Sequence, residues 1–244
     1  MAEWRSFSYR NADYRIFASD PGMVIREIKR LRNEIEKYGN NHPDFFRSFK
    51  PLPVDESAAE IIQQMYRAAI HAGVGPMAAV AGAIAEWSTR TLLKNKPDED
   101  VIVDNGGDLF IQSSRTVMIG LYPGLRFPCG LGLELDGKGK PFAVCSSSGR
   151  MGHSVSLGKS DLVTVIGKEG AAADAAATAI GNHIQTAEEI SDVLEIFISI
   201  PGISGIIAVK DDKLGMIGDL PELVRMDKNH IRSKVTRNIY ADFQ

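Results

Sequence analysis

The sequence predicts one α+β domain over residues 1–244, and three observations carry that expectation. An apolar run, Val101-Ile102-Val103-Asp104, feeds directly into Asn105-Gly106-Gly107-Asp108, which reads as a strand ending in a double-glycine turn. Segments with helical spacing of apolar residues alternate with short β-rich runs along the chain. No repeat, linker or low-complexity block divides it.

The elements follow in order. Phe7 to Ala18 alternates loosely and reads as one or two strands. Ser19-Asp20-Pro21 is a helix start, with proline in the first turn. From Pro21 to Tyr38, Val24, Ile25, Ile28, Leu31 and Ile35 keep helical spacing, and the charged residues between them form a solvated face. His42 to Pro53 reads as a loop whose Phe45, Phe46 and Phe49 pack inward. A second helix is expected from Ser57 to Ala72, ended by Gly73 and Gly75, and Pro76 opens a third from Met77 to Leu93. The Val101 strand is expected to pair with Val117-Met118-Ile119-Gly120-Leu121. Phe142 to Cys145 and Leu162 to Gly167 follow as strands. One helix carries Asp174, another spans Glu188 to Ile198, and Gly205 to Ile217 has the pattern of a hairpin. The tail from Arg225 reads as polar and irregular.

Composition narrows the functional classes. A net charge of −3 argues against nucleic-acid binding, which calls for a basic face. No apolar run has the length of a bilayer span, and Met1-Ala2-Glu3-Trp4-Arg5 lacks a signal-peptide pattern. A cytoplasmic protein is expected, with Cys129 and Cys145 as free thiols. Walker, zinc and Gly-x-Ser-x-Gly motifs do not occur.

Three tracts of small residues stand out: Gly75 to Gly82, Asn105-Gly106-Gly107-Asp108, and Ala171 to Ala179. Glycines in a turn open positive φ and expose backbone N–H groups to oxyanions. The three tracts are therefore expected to line one ligand cleft. Asp174 and Thr178 are four residues apart and share a helical face among alanines. A carboxylate, a hydroxyl and nearby carbonyls are hard oxygen donors suited to Mg²⁺ bridged to a phosphate. The competing role for Asp174 is a helix cap, and for Thr178 a bond back to a carbonyl. His153 lies among glycine and serines in Ser148-Gly149-Arg150-Met151-Gly152-His153-Ser154, a setting for ligand contact or general-base work, or simply an exposed histidine.

The motif order Asn105-Gly106-Gly107-Asp108, Ser148-Gly149, then Val163-Thr164-Val165 leading to Ala173-Asp174-Ala175-Ala176-Ala177-Thr178 resembles the ApbE family, the FAD:protein FMN transferases. In that order the matches fall between residues 20 and 181, and the chain is most similar to a short branch marked by Gly75-Pro76-Met77-Ala78-Ala79-Val80-Ala81-Gly82. The resemblance implies FAD between two lobes of an α+β fold, transfer of FMN to a Ser or Thr of an acceptor flavoprotein, and release of AMP. It implies Mg²⁺ on Asp174, Thr178 and a carbonyl near Val80, with His153 as the catalytic base. Gly75, Met77, Ala79, Asn105, Gly106, Gly107, Asp108, Ser148 and Gly149 would border the cofactor. One residue and one segment depart from the family pattern: Ala81 stands where a lysine is usual, and Ser154-Val155-Ser156-Leu157-Gly158 replaces Asp-Pro-x-Thr-Gly. The alternatives are a binding protein that kept the pocket without the reaction, and an enzyme acting on another anionic metabolite.

Overall fold

The N-terminal segment forms a hairpin, β1 (Glu3–Tyr9) against β2 (Ala12–Ala18), in a computed structural model that describes residues 2–124, 127–137, 140–149 and 159–227. Asp20 caps α1 (Pro21–Asn41) by accepting the Met23 amide at 2.9 Å. Val24, Ile28, Leu31 and Ile35 are buried on its inner face, as their spacing requires. Next comes a five-residue helix, α2 (Pro43–Arg47), where a loop was expected. Only Phe45 packs as anticipated, its ring edge-on to Tyr38 and Tyr66, whereas Phe46 and Phe49 are exposed. Helix α3 (Glu60–Ala72) begins after Ser57, because Asp55 holds both the amide and the hydroxyl of Ser57 in a turn. Gly73 ends it at φ +74°, and a 3₁₀ turn (Pro76–Ala79) leads into α4 (Val80–Asn95).

The strands that follow are β3 (Val101–Asn105), β4 (Asp108–Gln112), β5 (Val117–Leu121), β6 (Gly130–Leu135), β7 (Phe142–Ser147) and β8 (Leu162–Gly167). Helices α5 (Gly170–His183) and α6 (Ile190–Phe197) lead to β9 (Ile203–Lys210), β10 (Lys213–Gly218) and β11 (Glu222–Met226). Eight strands form one open antiparallel sheet in the order β1-β2-β3-β4-β7-β8-β9-β10, and β11-β6-β5 form a second. The pairing expected between the Val101 strand and Val117–Leu121 does not occur. Both edges of β3 are taken, by β2 and by β4 across the Gly106-Gly107 turn, so β5 pairs with β6 instead. Of the tail expected to be irregular from Arg225, Arg225 and Met226 instead end β11, Arg225 opposite Leu131, and residues 228–244 lie outside the described residues.

Side chains alternate across the large sheet. Val103, Phe110, Ala143, Val163 and Val165 face the helices, while Ile102, Ile111, Val144, Leu162 and Ile207 face the small sheet. With both faces covered, strands such as Val101–Asn105 are buried along their whole length. Among the described residues no single helix is long and apolar enough to cross a membrane.

Helix α5 packs against α3, α4, β7 and β8, and residues Gly170 to Gly181 are all buried. Such crowding on every side explains the run of alanines. At the α4–α5 crossing the backbones touch. A Cβ on Gly82 would meet the Gly170 carbonyl oxygen at 2.1 Å, and one on Gly170 would meet the Gly82 oxygen at 2.2 Å. The close approach that the small-residue tracts announced is thus, at these positions, an approach of helix to helix. Gly82→Ala is expected to cost about 1–3 kcal/mol in urea unfolding, because a rigid backbone faces the new methyl. A variant as stable as the wild type would mean that the helices separate freely at this contact.

Candidate functional site

The first turn of α4 is held from both sides. Asp174 Oδ2 accepts the amides of Ala81 at 3.0 Å and Gly82 at 2.9 Å, while Asn105 Nδ2 donates to the Ala81 carbonyl at 3.1 Å. First-turn amides of a helix have no intrahelical partner and carry the positive end of its dipole, so a carboxylate is favoured there. Asp174 projects from the second turn of α5, where Gly82 makes room for it: a Cβ at residue 82 would lie 2.8 Å from the Asp174 Cβ. Asn105 is the last residue of β3, held in place by the hairpin that pairs it with Asp108.

The Gly106-Gly107 turn is a two-residue connection with φ +69° and +109°, conformations that side chains with a Cβ rarely adopt. The Gly107 amide donates to Asp104 Oδ1 at 2.9 Å, so this N–H is occupied within the turn and not bare as anticipated. Asp108 follows, its Oδ1 accepting the Ser146 amide at 3.2 Å. Asp104, Asp108 and Asp174 are each 8% exposed, and the charges of Asp174 and Asp104 both bear on Asp108, which places three carboxyls in one buried neighbourhood. Burial is the main force on Asp174, lifting its pKa to about 7 against the pull of the Gly82 and Ala81 amides. Asp108 is pushed well above the usual carboxylate range, first by burial and then by the charge of Asp174. Burial likewise raises the thiol of Cys145, whose Sγ lies 3.6 Å from the Gly170 carbonyl.

Thr178 lies one turn beyond Asp174 and, among the described residues, its hydroxyl makes no hydrogen bond, although a helical threonine ordinarily bonds back to a carbonyl. Both bonds of Asp174 land on Oδ2, which leaves Oδ1 without one among the described residues. The geometry thus brings together Asp174, Thr178, Asn105, Asp108 and the Val80–Gly82 turn. The other expected positions make contacts of their own. Gly75 lies under the Ser48 carbonyl, which its missing Cβ would meet at 1.8 Å. Met77 is half-buried and Ala79 buried in the 3₁₀ turn, and Ser148 and Gly149 follow β7, the Gly149 amide donating to the Ser160 carbonyl at 3.0 Å. His153 lies outside the described residues. Two surface cavities lie elsewhere, about 440 Å³ between α6 and β10 and about 350 Å³ beside Tyr38, and neither includes an expected site residue.

A family model described as AbpE bacteria matches residues 8–193. The chain belongs to this family. The UPF0280 protein of Methanocaldococcus jannaschii is 42% identical over 207 residues, covering 82% of this chain and 83% of its own. That of Archaeoglobus fulgidus is 40% identical over 212 residues, covering 82% and 84%. Among solved structures, the flavin transferase ApbE from Vibrio cholerae aligns with a TM-score of 0.60 at 13% identity, over 90% of this chain and 98% of that one. The ApbE protein from Thermotoga maritima aligns with 0.56, also at 13% identity, over 97% and 100%. At that identity the likeness speaks for a shared ApbE-like α+β fold.

Three residues of this neighbourhood were not expected there from the sequence. Asp104 and Cys145 sit in strands where only register reveals their direction. Glu86, buried in α4, accepts the Gly170 amide at 2.7 Å, a bond formed across 84 residues of sequence, and the Arg90 guanidinium at 2.7 Å.

The raised carboxyls make a pH signature. An acid whose folded pKa is raised keeps its proton in the folded chain after the unfolded chain has lost it. Between about pH 4 and 7 the metal-free fold therefore binds more protons, and its stability falls as pH rises. Asp100 and Glu189, held low, act below that window with the opposite sign. In excess chelator the thermal midpoint is expected to rise as pH drops from about 7.5 to about 5, and Asp174→Asn to flatten the slope. An unchanged slope in the variant would assign the effect to other groups.

Proposed function

We propose that this chain binds FAD together with Mg²⁺ and passes its FMN portion to a hydroxyl of an acceptor protein, releasing AMP. The observation that carries the reading is the pair of open oxygens on one face of α5, Asp174 Oδ1 and the Thr178 hydroxyl, beside a second buried carboxylate at Asp108. The donor set fits the metal. Among the described residues neither Asp108 nor Asp174 forms an ion pair, and two carboxylates, a hydroxyl and the Val80 carbonyl are the hard oxygens that Mg²⁺ prefers. When bound there, Mg²⁺ would neutralise the diphosphate and the charge gathering on AMP.

The chain's own residues would supply the rest. Asn105 and the Asp174 carboxylate fix the first turn of α4, so the donors keep their places when a ligand arrives. The acceptor oxygen would bond to the FMN phosphorus as the bond to the AMP oxygen breaks, with the acceptor proton passing to His153. The flavin transferases among the structural neighbours support the reaction class, and a flavoprotein would supply the acceptor hydroxyl. Cys129 and Cys145 are free thiols, which supports a reducing, cytoplasmic location. One observation favours the second reading, a binding protein without turnover: Ala81 offers no cationic side chain where the family pattern has lysine.

Calorimetry of FAD with and without Mg²⁺ tests the site. Wild type is expected to bind far better with the metal, and Asp174→Asn to lose most of that gain while staying folded, because a charged ligand contributes several kcal/mol. Equal affinities in all four titrations would leave Asp174 as a helix cap alone. AMP release with flavoprotein acceptors then separates enzyme from binder: tight FAD binding without AMP, and AMP appearing only in Ala81→Lys, would favour the second reading.

A further inference from the structure

The hydroxyl of Ser147 is buried and, among the described residues, has no hydrogen-bond partner. Its neighbour Ser146 shows the ordinary arrangement, its Oγ 2.9 Å from the Thr164 hydroxyl on the opposite face of the sheet. An unsatisfied buried hydroxyl is destabilising, so its place calls for a physical account.

Strand geometry supplies the position. Ala143 and Cys145 face the helical layer, and the alternation of β7 puts Ser147 on that same face. Cys145 Sγ marks where β7 passes beneath Gly170 at the start of α5. The Lys159 amide donates to the Ile184 carbonyl at 3.1 Å, which pins the far end of α5 beside the entry to β8. Helix α5 therefore runs antiparallel to β8 and parallel to β7. From Gly170, Asp174 is about 6 Å along the helix. From Cys145, Ser147 is about 7 Å along the strand in the same direction. The open hydroxyl thus comes level with Asp174, ahead of Thr178 and just before the Ser148-Gly149 turn.

We propose that Ser147 is a ligand-contacting residue whose hydroxyl donates to a phosphoryl oxygen of a diphosphate ester. The inference rests on the nucleotide-binding reading of the same site and adds its recognition of the diphosphate. Asp108 and Asp174 are acceptors that gather positive charge, and the oxygens drawn to that charge are anionic. A neutral hydroxyl beside them is suited to donate. With Ala81 in place of lysine, Ser147 supplies a side-chain donor that residue 81 does not.

Calorimetry with FAD, ADP and riboflavin, each with Mg²⁺, tests this on wild type, Ser147→Ala, Ser147→Thr and Thr89→Val. Thr89 carries another buried hydroxyl without a partner among the described residues, about two turns along α4 from Gly82, whose amide Asp174 accepts. Ser147→Ala is expected to weaken FAD and ADP about tenfold or more, as loss of a hydrogen bond to a charged group does. Riboflavin, which has no phosphate, should be unaffected, and the ligand-free thermal midpoint should hold or rise. Ser147→Thr should restore most of the affinity, and Thr89→Val should leave every affinity unchanged. FAD and ADP binding unaltered in Ser147→Ala would overturn the proposal, as would a lower midpoint with parallel loss of all three ligands. Wild type binding neither FAD nor ADP would instead overturn the nucleotide reading on which it rests.

Discussion

Two buried carboxylates join the central helices, each taking the exposed amides of the other. Asp174 of α5 accepts the Ala81 and Gly82 N–H groups at the head of α4, and Glu86 of α4 accepts the Gly170 N–H at the head of α5. Neither helix has a capping side chain of its own, so each depends on its neighbour to satisfy groups that burial would otherwise orphan. Glycine at 82 and 170 is what allows the contact, because any side chain at the crossing would drive the carboxylates away from the amides. Asn105 ties the end of β3 to the same turn, so the sheet, α4 and α5 are referenced to one point.

That point is also where the candidate chemistry lies, and the two uses pull in different directions. A well-buried cap would be best served by a neutral or fully paired group. Here Asp174 has one oxygen in the cap and one outside it, and Asp108 stands beside it without a cation among the described residues. Burial lifts both carboxyls, a direction opposite to what a pure stabilising role would select. Sites that violate local economy in this way are where function is expected to reside.

Local signals were the legible part of the sequence. The stripe Val24-Ile28-Leu31-Ile35, the Asp20-Pro21 start and the double-glycine turn each report on a few neighbouring residues, and all three formed as read. Pairing over distance was not legible. Val117–Leu121 was given to the wrong strand because nothing in an apolar run states which edge is free. The small-residue tracts were seen, but smallness alone does not distinguish a ligand's approach from a helix's, and at Gly82 and Gly75 protein backbone fills the space. For Asp174, cap and metal ligand were set as alternatives. Asp174 does not cap its own helix, being the fifth residue of α5; its Oδ2 caps the neighbouring α4 instead, and Oδ1 is what remains for a metal.

The alanine at residue 81 gains meaning from the same contact. Its amide is one of the two that Asp174 grips, so residue 81 sits at the positive end of the α4 dipole whatever its side chain. A lysine there would add a full charge on a long tether close to two buried carboxylates, pairing them and lowering their pKa values. Without it, Asp108 and Asp174 have greater need of an external cation, and an anionic ligand has only that cation, the helix end and neutral donors to meet it. With alanine at residue 81, the proposed site would rest more on a metal than it would with a lysine there. Any activity should then lean on the metal more heavily than it would with a lysine in place.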